Sequence, residues 1–187
     1  PAAAVRPAAE VPPPFAGEPL SPPAEPLPPV DPTLARILAL EDRRLFDRAR
    51  RKGLGITVHT GEAGPVEEIA EVVEQLEPSR IGHGVKAALD PRTMGMLRER
   101  GIVLEVCPTS NLNTRVVSGW DEFRWIFDTF RRNGVRFTIN TDGPEMLKTY
   151  LRDEMATLGR LGILSVDDQE QAAATSLAAS FVPNVSD

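Results

Sequence analysis

The side chains that could do chemistry in this 187-residue sequence are few and far apart. Its two histidines, His59 and His83, stand with Glu62 and Asp142 in short polar clusters: His59-Thr60-Gly61-Glu62, Gly82-His83-Gly84 and Asn140-Thr141-Asp142-Gly143. Imidazoles and carboxylates move protons near neutral pH, and both ligate divalent metals. Each of the four also has an ordinary reading. A loop histidine can simply hydrogen-bond, a glutamate can sit at the positive end of a helix, and Thr-Asp-Gly-Pro is a good turn in its own right. Position sets them apart, because every cluster follows directly on a short apolar segment. Turn chemistry does not require both histidines and the acids at successive strand ends. The single cysteine, Cys107, can form neither an internal disulfide nor a two-cysteine zinc site, and it is read as a small buried hydrophobe without a role.

The elements that must position these residues alternate regularly. Leu34, Ile37, Leu38 and Leu45 recur at helical spacing up to Gly53 and Gly55. Ile56 to Val58 predicts a first strand, and Ile69, Val72, Val73 and Leu76 predict the helix after it, with Pro65, Glu67 and Glu68 at its start. Arg80 to Gly84 reads as a second strand and its exit. Asp90-Pro91 reads as a helix N-cap and first position, with Gly101 as the stop. Ile102 to Val106 is a third strand, Phe123, Ile126, Phe127 and Phe130 mark a helix ended by Asn133-Gly134, and Val135 to Ile139 is a fourth strand. Two further helices follow, the last capped by Ser165 with Asp168 three residues on.

Four strands each followed by a helix imply parallel pairing through right-handed crossovers, hence half of a (β/α) barrel or a small open α/β sheet. In a barrel the C-terminal strand ends converge on one face, which would gather His59, Glu62, His83 and Asp142. Half a barrel would also expose two unpaired sheet edges and the apolar inner faces of its strands.

Ahead of this domain, residues 33–187, lies a different composition. Pro1 to Pro32 holds 12 of the 18 prolines and is read as a disordered or locally polyproline II tail, with PxxP spacings such as Pro19 to Pro22. The formal charge is −6, from 27 acidic and 21 basic residues, with no basic run to neutralise a phosphate backbone, so nucleic acid is not expected as a partner. No apolar stretch is long enough for a membrane span, and no membrane partner is expected. The lone cysteine fits a cytoplasmic setting.

Four segments carry a resemblance. His59-Thr60-Gly61-Glu62-Ala63-Gly64, Ile81-Gly82-His83-Gly84, Glu105-Val106-Cys107-Pro108-Thr109-Ser110-Asn111 and Asn140-Thr141-Asp142 resemble, in order and spacing, the signature segments of the adenosine deaminase family. Ala178-Ala179-Ser180-Phe181 is similar to that family's terminal helix, and the likeness runs from about Leu45 to Val182. The resemblance implies the C-terminal half of a TIM-type (β/α)8 barrel. His59 and Asp142 would then be zinc ligands from the fifth and eighth strands. His83 would hold and deprotonate the attacking water, with Asp142 also touching it, and Glu62 would give a proton to a purine ring nitrogen. The reaction implied is hydrolytic removal of the 6-amino group from a purine nucleoside. A first-strand His-x-His pair supplies two further zinc ligands in that family, and this sequence has none. The chain by itself is therefore expected to be catalytically silent, needing an N-terminal half barrel or self-association. Gly143 stands where many members carry a second aspartate that hydrogen-bonds the purine. That leaves adenosine and an adenosine-like compound such as aminodeoxyfutalosine both open as substrates. A non-catalytic half barrel that acts only in association is the competing reading.

Overall fold

The fold follows from four short parallel strands that each bury one face and leave the other polar. A computed structural model describes residues 43–182. The Pro1 to Pro32 tail and the helical residues Leu34, Ile37 and Leu38 lie outside the described residues. The chain runs from helix α1 (residues 43–51) into β1 (Thr57–Thr60), α2 (Glu67–Leu76), β2 (Arg80–His83), a 3-10 turn (Val85–Leu89) and α3 (Pro91–Glu99). It continues through β3 (Val103–Val106), α4 (Pro108–Asn113), α5 (Trp120–Asn133) and β4 (Arg136–Ile139) to α6 (Pro144–Leu147), α7 (Leu151–Arg160) and α8 (Val166–Ala178). The strands pair in sequence order, all parallel, which gives an α/β fold of four βα units, as the sequence predicts.

Register and the period of two decide what each face carries. Val58, Ile81, Leu104 and Phe137 are aligned across the sheet. This row faces the helices, where Ile69 and Val73 of α2, Leu97 of α3 and Phe123, Phe127 and Phe130 of α5 are fully buried. Phe127 packs 4.9 Å from Phe137, centroid to centroid, and 5.7 Å from Phe123. Each such ring contributes about 1.5–3 kcal/mol on burial, so the phenylalanine stripe of α5 anchors the core beneath β3 and β4.

The opposite face differs from the apolar one expected. Its residues are Thr57 and His59, Arg80 and Gly82, Val103 and Glu105, Arg136 and Thr138. Arg80 pairs with Glu105 at 3.3 Å, and Thr57 Oγ1 donates to Glu105 Oε2 at 2.7 Å. Only Val103 is apolar. In strands of four residues just two side chains face inward, and here most of those positions went to charged, imidazole and hydroxyl groups, while the aliphatics other than Val103 went outward.

Several boundaries also move. β1 extends through His59 and Thr60, so His59 is a strand residue rather than a loop residue. The segment after β3, where no helix was expected, coils into α4 (Pro108–Asn113), with proline at the first helical position where its missing N–H costs nothing. Among the described residues three helices, not two, follow β4.

The expected caps are present. Asp90 accepts from Thr93 N at 2.9 Å and Arg92 N at 3.2 Å. Ser165 and Asp168 form a reciprocal capping box at the start of α8, and Arg131 of α5 pairs with Asp168. At the other end of α8 the chain crosses under the sheet. The Arg80 guanidinium stacks 3.8 Å from the Phe181 ring centroid, and Arg80 Nη1 donates to Ala179 O at 3.3 Å. Gly55, just before β1, leaves the space for that ring, since a Cβ there would lie 2.1 Å from Phe181 Cδ1.

Candidate active site

Each candidate residue is held at a C-terminal strand end by a different local device. His59 points from β1 across the inner face, and its ring lies over Gly82 of the neighbouring strand. A Cβ at position 82 would meet ring atoms Cδ2, Cγ and Cε1 at 2.7 to 2.9 Å, so glycine there is a condition of the ring's position. His83 ends β2 in a left-handed backbone conformation, φ 61°, and Asp142 beyond β4 has φ 60°. Such a conformation costs a non-glycine residue about 1–3 kcal/mol and persists where surroundings over-determine it, commonly at functional sites.

His83 is 2% exposed. It lies edge-on to His59 with centroids 5.3 Å apart. Its Nε2 is 3.4 Å from Glu62 Oε2 and its Nδ1 3.1 Å from Asn111 Nδ2. The half-buried Glu62 carboxylate is further faced by Asn111 Nδ2 and Thr114 Oγ1, both 3.3 Å from Oε1. The loop that carries Glu62 is clasped by Lys86, whose Nζ donates to Ala63 O at 3.1 Å and Gly64 O at 2.8 Å. Ser110 Oγ donates to Asp142 Oδ2 at 2.7 Å, which leaves the second carboxylate oxygen of this exposed residue free. Gly143 follows at the start of α6 with an unstrained φ of −102°.

His59, Gly82, Glu105, Cys107, Asn140 and Asp142 line an open cavity of about 460 Å³, whereas the half-buried Glu62 and the buried His83 stand beside it as a pair. The four residues singled out from sequence therefore converge at one end of the sheet. Glu105 joins them from the inner face. Cys107 is buried, and burial, with the Asp142 charge adding to it, pushes its thiol up to about 12, which keeps it an unreactive neutral group.

Sequence reasoning quoted Ser110 and Asn111 but gave them no task. Both belong to α4 and both are buried; one holds Asp142 and the other holds His83 and Glu62. The available signal was a proline-started polar helix directly after a strand, which delivers consecutive side chains to the site. Glu154 of α7 also went unremarked. It is 1% exposed, burial pushes its carboxyl above the ordinary range against opposing hydrogen bonds from Thr109 and Thr149, and it ties α7 to the segments following β3 and β4. Among the described residues no three His, Cys, Asp or Glu side chains gather as a metal cluster. His59 and Asp142 supply two donors on the same cavity.

A parallel α/β sheet that collects imidazole and carboxylate groups at its C-terminal strand ends is the design of a (β/α)-barrel enzyme. The chain belongs to the adenosine deaminase family, whose profile matches residues 32–186. It is 42% identical over 139 residues to an aminodeoxyfutalosine deaminase of Streptomyces coelicolor, covering 73% of this chain and 35% of that protein. It is 39% identical over 137 residues to an adenosine deaminase of Erwinia tasmaniensis, covering 73% of this chain and 41% of that one. The crystal structure of an adenine deaminase from Arthrobacter aurescens superposes with a TM-score of 0.69 at 27% identity, over 81% of this chain and 52% of that chain. The chain thus spans roughly two fifths of the length of these curated relatives.

Proposed function

We propose that this chain carries the C-terminal half of the site of a zinc-dependent hydrolytic deaminase, which converts the 6-amino group of adenosine or an adenosine-like nucleoside to a 6-oxo group and releases ammonia. The observation that carries the reading is the grouping of His59, Asp142 and the Glu62–His83 pair at one mouth of the half barrel.

Zinc fits the two donors in kind. His59 offers an exposed imidazole, and Asp142 keeps one carboxylate oxygen free while Ser110 holds the other. A bound zinc ion supplies the acidity that lowers the pKa of water toward 7. The chain's own groups do the rest. Asp142 and His83 face and orient the water, and Glu62 is the proton donor to the ring nitrogen beside the carbon under attack. Protonation there draws electrons from the carbon and makes it electrophilic. Gly143 borders the position of the purine and leaves open space beside it.

Two donors are half of a four-coordinate set, so this chain alone is expected to bind zinc weakly and to be silent. A partner half barrel bearing a His-x-His strand should restore activity. The test mixes the chain with the N-terminal half of a related deaminase and zinc, and follows loss of the 6-amino group by ultraviolet absorbance with adenosine and with aminodeoxyfutalosine. Activity that arises on mixing and disappears in His59→Ala, Glu62→Gln and Asp142→Ala supports the roles given. Stable association without turnover of either compound favours a half barrel that acts only by association, and zinc-dependent turnover by the isolated chain refutes the account of the missing ligands.

A further inference from the structure

Asn111 makes contacts that the proposed reaction does not call for. Its side chain is fully buried, and one nitrogen lies 3.1 Å from His83 Nδ1 and 3.3 Å from Glu62 Oε1. The amide oxygen is buried without a partner. Orphaned buried oxygens are uncommon and call for a reason. Here the reason lies on the opposite side of the amide, where both N–H groups are used.

The orientation of the amide follows from chemistry. Where Glu62 is ionised, before it takes up the proton it delivers, the atom facing its Oε1 must be a donor, since the amide oxygen in that place would set two acceptors against each other. The same nitrogen faces His83 Nδ1, and an NH2 group can only donate. Nδ1 must therefore present its lone pair.

We propose that Asn111 is a positioning residue that fixes neutral His83 as the Nε2–H tautomer and holds it in register with Glu62. For its catalytic meaning this rests on the deaminase reading; as a statement about the proton it does not. With Nδ1 occupied, the ring proton sits on Nε2, the nitrogen on the Glu62 side, 3.4 Å from Oε2. His83 then meets its surroundings through Nε2 as a hydrogen-bond donor.

The chain has only two histidines, so imidazole nitrogen spectra are simple to read. Long-range proton–nitrogen spectra of the uniformly 15N-labelled chain, recorded where both rings are neutral, distinguish the two tautomers of each ring. We expect His83 as Nε2–H, with a nitrogen–nitrogen coupling through the hydrogen bond from Asn111 Nδ2 to His83 Nδ1. In Asn111→Leu, which fills similar volume without a donor, the His83 pattern should collapse to a mixture while the His59 pattern stays put. In Asn111→Asp the acceptor beside Nδ1 should invert the preference. A wild-type His83 protonated at Nδ1, or one indifferent to a folded Asn111→Leu, overturns the proposal. Should neither variant fold, the wild-type tautomer and coupling decide it alone. These spectra need neither substrate nor partner, so they can fail while the deaminase reading stands, or hold while it falls. In a reconstituted enzyme Asn111→Asp should lower kcat about tenfold to a hundredfold with KM little changed.

Discussion

A methyl group at position 82 tests how His59 is held. Gly82→Ala would place its Cβ 2.7 Å from the imidazole Cδ2. The ring is the free end of a side chain at an exposed position, so it can swing away at little cost. Stability should change by less than about 1 kcal/mol, while turnover in a reconstituted barrel falls at least tenfold because the ring is displaced from the cavity. Normal turnover in a folded variant would mean that His59 does not need its place over Gly82. Gly143 invites the opposite change. A Cβ there meets the flexible end of Met146 at 3.4 Å and the Met146 Cβ at 3.8 Å, both ordinary contacts or nearly so. Gly143→Asp could add a charge-assisted hydrogen bond to the purine, and adenosine efficiency should rise about tenfold to a hundredfold. Steady-state kinetics on both proteins decide it; an unchanged or lower value indicates that the native substrate fills this space differently. His59, Glu62, His83 and Asp142 were legible as candidates because strand-end placement is visible in hydropathy alone. Ser110 and Asn111 were not, because their importance comes from burial on a helix of six residues, too short to show a periodicity.

At the level of elements, α8 depends on its first turn. Burial raises the Asp168 carboxyl, but hydrogen bonds from Ser165 and the charge of Arg131 outweigh it and hold the group below its ordinary value of 3.8. A lowered folded-state value means stabilisation that is complete above the unfolded value and lost as pH falls through the folded one. Asp168→Asn should cost about 1 kcal/mol at neutral pH, a modest figure for a partly exposed cap and ion pair. Urea unfolding of both proteins at successively lower pH should show the two stabilities converging in acid. A gap that persists there would assign the effect to lost packing instead of charge. This box was readable as Ser165 followed three residues later by Asp168, since cap chemistry is local. The helical turn of α4 was not, since Thr109, Ser110 and Asn111 suit a loop equally well and the turn is held by contacts distant in sequence.

Over the whole molecule, the order of strands and helices was legible because the apolar pattern switches between short runs and helical stripes. The polarity of the inner face was not. Thr57, Arg80 and Arg136 open their strands and read as ordinary strand borders, and only the register turns them, with Glu105, into one lining. The crossing beneath that lining has a mechanical consequence. Fastened by its capping box at one end and by Phe181 against Arg80 and Gly55 at the other, α8 is a strap buckled at both ends. A pull on the C-terminus must pass through Phe181 into the roots of β1 and β2 before α8 can peel from β4. In an optical trap, Phe181→Ala should lower the force of the first rupture and let α8 detach as a separate early step; equal first-rupture forces would locate the weak point elsewhere. Tension on this end of the chain is thus delivered to the strand that carries His59, so the buckle connects a tug at the C-terminus with the geometry of the site.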